Sequence, residues 1–527
     1  MSTPDPRHAV RPEDRVVTPR DWIGFIAMVV GMFMAILDIQ IVASSIAQIQ
    51  AGISASADEI SWVQTAYLIA EVVMIPLSGW MARVFSTRWL FMVSCLTFTV
   101  ASVACAFAWS IESMIVFRAI QGFLGGAMIP TVFATSFLLF PPRMSAGISV
   151  LIGLVATMAP TLGPTLGGWL TEAFSWHWLF LINVVPGLIV ATLVGGFVHV
   201  DKPRLEMLRG FDLAGIVLVA AFLGSLQYIL EEGPGDDWFD EPRIVAMTAF
   251  CVAAGLAFLW RELTTAHPVV DIRAFHDRNI ADGCLYSFIN GIGLYRSVYY
   301  SSLDQGRVRG YSALEIGLTM MVTGLFQFLS APLAGALAKK LDLRLMLGGG
   351  LILFGTGLWL NHYLTSQWGY WEMFLPQAVR GLALMFCFVP INAVALGHLA
   401  PAEVQNASGL YNLMRNLGGA IGLAAITTFL RERTDLHMAR LSETLTPDNL
   451  DAMTRLSEIS ARVAALLPGD PDQAALRILF NLAKQQASTL AFADILMAMS
   501  LVFLVGLVLM PLVHKVRHPS AATADAH

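Results

Sequence analysis

The sequence predicts an all-α polytopic membrane protein of two six-helix halves plus an inserted two-helix hairpin, fourteen transmembrane helices in all. Three observations carry this. Apolar residues make up 56% of the 527 and charged ones only 13%, where soluble chains carry roughly 25% charged residues. Fourteen apolar runs each approach the length of about 20 residues that a bilayer crossing needs. Stretches from the first part of the chain also return in the same order in the second.

Residues 1–21 are polar, with four arginines, and are expected to form a tail. No small-residue cleavage site follows a short apolar core, so the first apolar run is a retained helix rather than a removed signal. The N-terminal half occupies 22–199, with spans near 22–46, 60–82, 88–109, 113–139, 146–171 and 178–199. The hairpin occupies 212–261, with spans 212–231 and 243–261. The C-terminal half occupies 279–513, with spans 279–302, 313–338, 344–363, 371–396, 403–430 and 488–513, and a tail follows at 514–527. An even number of spans puts both termini on one side. Eighteen Lys and Arg fall on that side, against Arg243, Arg307 and Arg309 in the short loops opposite. Both termini are therefore expected in the cytoplasm.

One outer segment, 431–487, is long. Thr446 and Pro447 suggest an N-cap and first turn. Leu450, Met453, Leu456, Ile459, Val463 and Leu466 then recur at helical spacing. Such a stripe suits either a cap resting on the protein or lipid, or a docking surface for a partner.

The repeat is direct. "PLSGWMARVFSTRWL" (76–90) aligns without gaps to "PLAGALAKKLDLRLM" (332–346), pairing Gly79 with Gly335 and Arg88 with Arg344. "IQGFLGG" (120–126) parallels "VRGLALM" (379–385), setting Gln121 over Arg380 and Gly122 over Gly381. "LGPTLG" (162–167) parallels "LGGAIG" (417–422), setting Gly163 over Gly418 and Gly167 over Gly422. Parallel repeats related by an axis along the membrane normal enclose a substrate cavity between them in many transporters.

These stretches resemble the motifs of the major facilitator superfamily, in its 14-helix drug:proton antiporter branch (EmrB/QacA type). "LDIQIVASSIAQIQ" (37–50) resembles the first-helix motif of that branch, and "GWMARVFSTR" (79–88) resembles the loop motif after the second helix. "RAIQGFLGG" (118–126) resembles the fourth-helix motif, and "APTLGPTLGG" (159–168) the antiporter motif of the fifth. "WHWLFLINVVPG" (176–187) and "ASGLYNLMRNLGGAIG" (407–422) are similar to further stretches of the branch. The likeness covers almost the whole chain. It departs at Arg83, where the loop motif usually carries Asp, so the charge relay attributed to that Asp does not transfer. Arg88 matches the motif's trailing basic position.

The resemblance implies a proton-coupled exporter of amphipathic or hydrophobic small molecules in a bacterial inner membrane, working by alternating access. It also implies a periplasmic membrane-fusion adaptor and an outer-membrane channel as partners for a member with a long outer loop. In that setting Pro160, Gly163, Pro164, Gly167 and Gly168 suit a bend and a tight helix contact where the halves meet, since small residues let membrane helices approach closely. Plain helix packing is the competing account of them.

Ionisable groups within membrane spans are costly and point to function. Asp38 lies about 24 Å along its helix and Arg118 about 8 Å from the outer start of its own, so their levels match. Apolar surroundings favour a protonated carboxyl and a nearby arginine an ionised one. Asp38 alternating between such settings would load and release a proton. A structural helix-end or hydrogen-bonded carboxyl is the competing role for Asp38, and a fixed interhelix anchor that for Arg118. Glu71, near mid-depth, is the second protonation candidate. Asn290 and Arg380, with Gln121, are candidates for the cavity wall, and Arg415, with Gly418 and Gly422, for the repeat interface. Asp494 lies nearer the surface and is expected to be structural.

Other classes fit less well. The eleven histidines fall in loops, tails or span ends, and no HExxH or phosphate-loop lysine occurs. No enzyme, cofactor or metal site is therefore expected. The five cysteines stand singly in apolar runs and suit buried thiols. An exporter of one physiological metabolite (a fatty acid or siderophore), a proton-coupled importer, and a sensor or scaffold with a transporter fold remain as alternatives.

Overall fold

The computed structural model describes residues 16–56, 59–210, 212–266, 268–307, 311, 313–365, 367–464 and 470–513. Most of the expected N-terminal tail, the whole C-terminal tail, Arg309 and Leu466 lie outside the described residues. The long helices are α1 (Pro19–Ser44), α2 (Trp62–Phe85), α3 (Thr87–Ala106), α4 (Ile111–Leu139), α5 (Ser145–Ala173) and α6 (Trp178–Phe197). They continue as α7 (Leu213–Glu232), α8 (Pro242–Thr264), α9 (Arg278–Arg307), α10 (Ala313–Leu337), α11 (Leu343–Leu360), α12 (Tyr370–Leu396), α13 (Pro401–Thr444), α14 (Leu450–Ala464) and α15 (Pro471–Val508).

Thirteen of these helices are long and apolar enough to cross a membrane. The ninth expected span forms as α9, whose second half, "YRSVYYSSLDQGR", is more polar than the other spans. Helix starts follow their capping chemistry. Thr18 and Asp21 close a capping box ahead of Pro19 on α1, and Ser110 and Ser113 do so on α4. Inside a membrane such caps satisfy backbone groups that lipid cannot.

Helices α1–α6 pack on one another, and so do α9–α13 with α15. The α7–α8 hairpin pairs with itself, while α7 leans on both α2 and α13. Between the groups, α5 lies against α10 and α12, and α13 against α2 and α4.

The repeated glycines sit at matching crossings. A Cβ on Gly122 would strike the Tyr67 carbonyl of α2, and one on Gly381 the Thr323 carbonyl of α10. Gly163 and Gly167 of α5 abut Gln40 and Ile41–Ser44 of α1. Gly418 and Gly422 of α13 abut Phe288 and Ile292 of α9. Gly79 of α2 meets the Gln405 backbone of α13, whereas Gly335 of α10 meets Val150 of α5. The first six contacts, at four helix crossings, lie within a group and the last pair between groups. Helix α5 stays helical through Pro160 and Pro164, and the Gly167 and Gly168 carbonyls both accept from the Thr171 hydroxyl at 2.9 Å.

The outer segment is largely a continuation of spanning helices. Residues 431–444 extend α13 and 471–487 begin α15. Asp494 of α15 binds Arg433 at 2.7 Å and His437 at 2.8 Å on α13, a structural clasp. The cap of α14 is Asn449, whose Oδ1 accepts from the backbone of Asp451 and Ala452. The expected start at Thr446 is thus corrected, because residues 447–448 form a turn. Helix α14 packs on α15, burying Val463 and leaving Leu450 and Met453 exposed.

Candidate functional site

Two buried polar assemblies lie toward the face opposite the start of α1. The first joins five helices. Arg118 of α4 donates to Asp38 Oδ2 of α1 at 2.6 Å, and neither side chain is exposed. Asp38 Oδ1 also accepts from Gln121 Nε2 at 3.0 Å and from Asn183 Nδ2 at 2.8 Å. Ser102 of α3 accepts from both amides at 3.0 Å and donates to the Phe180 carbonyl. Arg118 further donates to Gln121 Oε1 at 2.7 Å and to the Val63 carbonyl of α2 at 3.1 Å. Its guanidinium lies 4.2 Å from the Tyr67 ring centroid, which faces the positive charge with its electron-rich surface. A buried ion pair persists only when its remaining hydrogen-bonding capacity is met, and the amides meet that of Asp38.

The second assembly is a cavity of about 290 Å³ where the two groups meet, walled by α1, α2, α7 and α13. Its polar lining includes Gln40, Gln64, Glu71, Gln227, Glu231, Glu232 and Asn416, set among Ile39, Leu68, Val72 and Leu423. Glu71 is 3% exposed and interacts with two residues of α13, with the Arg415 charge and, by a side-chain hydrogen bond, with Asn416. Arg415 is buried, lies 5.2 Å from the Phe133 ring, and leaves Nε and Nη1 without a hydrogen-bond partner among the described residues. Glu71 and Arg415 therefore place opposite charges on facing groups, short of a direct ion pair.

The remaining expected positions fall elsewhere. Gln121 belongs to the Asp38 network rather than the cavity lining. Arg380 of α12 binds Gln377, and Thr323 of α10 at 3.5 Å. These are the repeat positions of Gln121 and Arg118, with arginine and glutamine exchanged. Asn290 is buried on α9 beside Gly291, which meets the Arg415 backbone. None of the three lines the cavity.

On the face where the chain begins, the groups are closed together. Asp201 accepts from the Thr87 backbone at 2.9 Å and from Gln405 of α13 at 3.1 Å. Ser408 donates to the Pro130 carbonyl at 2.7 Å, and Asn392 to Ser149 at 2.9 Å. Arg88 meets His199 at 2.8 Å, and Arg83 turns back to the Gly79 carbonyl at 3.3 Å. Helix α5 also bridges the groups, with Thr157 accepting from Gln327 of α10 and Thr165 meeting Gly317.

Sequence reading missed Asn183, Ser102 and Tyr67, and the acidic end of α7. Asn183 was visible as a lone amide in an apolar span. Glu231 and Glu232 mark a span boundary in the sequence, and only packing turns them toward α2.

A bundle of paired helical repeats, closed at one face and holed at the other, defines a membrane transporter. The model of the Major Facilitator Superfamily matches residues 28–423, and the chain belongs to that superfamily. It is 40% identical over 497 residues to the colistin resistance protein EmrB of Acinetobacter baumannii, covering 94% of this chain and 97% of that one. It is 31% identical over 437 residues to the multidrug export protein EmrB of Escherichia coli K12, covering 82% and 85%. Among solved structures it resembles the human organic anion transporter MFSD10 with a TM-score of 0.57 at 13% identity, covering 94% of this chain and all of that one. That likeness concerns the fold.

Proposed function

We propose that the protein is a proton-coupled multidrug exporter of a bacterial inner membrane, with both termini in the cytoplasm. The observation that carries this is a buried carboxyl, Glu71, at the wall of a cavity between the two helix groups. Its relatives' names, multidrug export and colistin resistance, support the export direction. The excess of Lys and Arg on the face of the termini supports the orientation. In that orientation the cavity opens outward and the Asp201–Gln405 contacts hold the cytoplasmic face shut.

Coupling then has a physical form. A proton arriving from outside neutralises Glu71 and lowers the cost of burying that carboxyl when the outer cavity closes. Inward opening exposes Glu71 to the cytoplasm, where it releases the proton and substrate takes its place. Asp38, sealed by Arg118, Gln121 and Asn183, has no contact with the cavity in this state. It serves as a second protonation site when α1 and α4 separate. The α14 region stands outside the membrane and forms the docking surface for a periplasmic adaptor leading to an outer channel.

Expression in an efflux-deficient bacterium tests the reading. Preloaded lipophilic dye should leave cells faster than in the empty-vector control, and a protonophore should abolish the difference. Efflux unaffected by the protonophore but lost on ATP depletion would overturn it.

A further inference from the structure

The inserted hairpin, α7 and α8, stands between the two repeats in the chain. Its first helix ends inside the cavity. Glu231 and Glu232 of α7 line the wall together with Glu71 of α2, and no Lys or Arg is among the described residues lining it. The two α7 carboxylates are held in place. Gln227 Nε2 donates to Glu231 at 3.0 Å, and Thr65 of α2 donates to Glu232 at 3.0 Å. The turn that follows grips the other group: Trp238 Nε1 donates to Thr428 of α13 at 2.7 Å, and Asp237 pairs with Arg431 at 2.6 Å. The hairpin thus links α2 to α13 beside the cavity, with both carboxylates in its lining.

We propose that α7 makes this cavity select amphipathic cations, with Glu231 and Glu232 as specificity-determining residues for an ammonium, guanidinium or phosphonium centre. A low-dielectric wall concentrates the field of its charges on the opening. The apolar lining takes the hydrophobic body and the carboxylates take the charge. An anionic amphiphile of equal size meets the same apolar surface and a repulsive lip. This rests on the cavity being the substrate site, and it assigns to the hairpin the choice of substrate.

The test uses the full-length protein in detergent and two probes, tetraphenylphosphonium and deoxycholate, with affinities measured by equilibrium dialysis. The wild type should prefer the cation. The pair Glu231→Gln/Glu232→Gln should lower the cation-to-anion affinity ratio at least about tenfold, the order set by losing two partly solvated charges. Glu231→Asp/Glu232→Asp should retain most of the ratio, which separates charge from folding. An unchanged ratio in the glutamine pair, or a wild type that binds no tetraphenylphosphonium, overturns the inference. Selective binding without gradient-driven movement would instead overturn the exporter reading and leave the selectivity standing.

Discussion

Asp38 and Arg118 lie 2.6 Å apart on α1 and α4, with both side chains withdrawn from solvent. Removing one member of such a pair strands the other charge. Asp38→Asn is predicted to destabilise the protein by about 3–5 kcal/mol. Asp38→Asn with Arg118→Gln should recover much of that loss, because no bare guanidinium remains. Thermal unfolding of the four proteins of this cycle provides the measurement. Additive losses would show that the pair is not coupled.

Gly122 and Gly381 cross α2 and α10 with no room for a side chain. Gly122→Val and Gly381→Val should each lower stability by at least about 1–3 kcal/mol, the usual range for overpacking. The five buried free cysteines allow unfolding to be followed with a thiol-reactive dye. Equal effects at the two sites would support the repeat, and melting curves like that of wild type would refute the close crossings.

The closed face depends on Asp201, which holds the start of α3 and Gln405 of α13. Gln405→Leu is expected to release that face. A cysteine placed at Ser149, buried where α5 meets α12, should then react faster with a water-soluble maleimide. No change in labelling rate would mean that this contact does not set the conformational balance.

The adaptor surface can be removed with less damage than the whole outer segment would cause. Deleting 446–469 spares the Arg433–Asp494–His437 clasp. Transport in liposomes should survive while whole-cell drug resistance falls. Full resistance in cells would reject the docking role, and loss of folding would favour a cap that the protein needs for itself.

Thirteen of the fourteen expected spans, the repeat and most of the buried charges were legible in the sequence, since lipid enforces apolar length and penalises every stray charge. The glycine pairs were legible because a close crossing tolerates no side chain. What was not legible depends on which side of a helix faces which neighbour. Gln121 and Arg380 look equivalent in the repeat, yet the arginine of the first half, Arg118, pairs with an acid, Asp38, and among the described residues the partners of Arg380 are neutral. In the second half Arg380 binds Gln377 and Thr323. Glu231 and Glu232 read as the polar end of a span until α7 is docked against α2. Thr446 read as a cap because Thr-Pro is a common helix start, but Asn449 lies nearer the apolar periodicity and takes that role.

The central claim is that Glu71 carries the coupling proton in the cavity. Proteoliposomes with an acidic lumen, and with the membrane potential clamped by potassium and valinomycin, test it directly. The cytoplasmic face must point outward, and accumulation of a bound lipophilic substrate is recorded. The wild type should concentrate substrate inside and lose it on adding a protonophore. Glu71→Gln, which keeps size and polarity but cannot titrate, should still exchange labelled for unlabelled substrate while failing to concentrate it. Wild-type accumulation by Glu71→Gln would contradict the account and move the proton to another carboxyl.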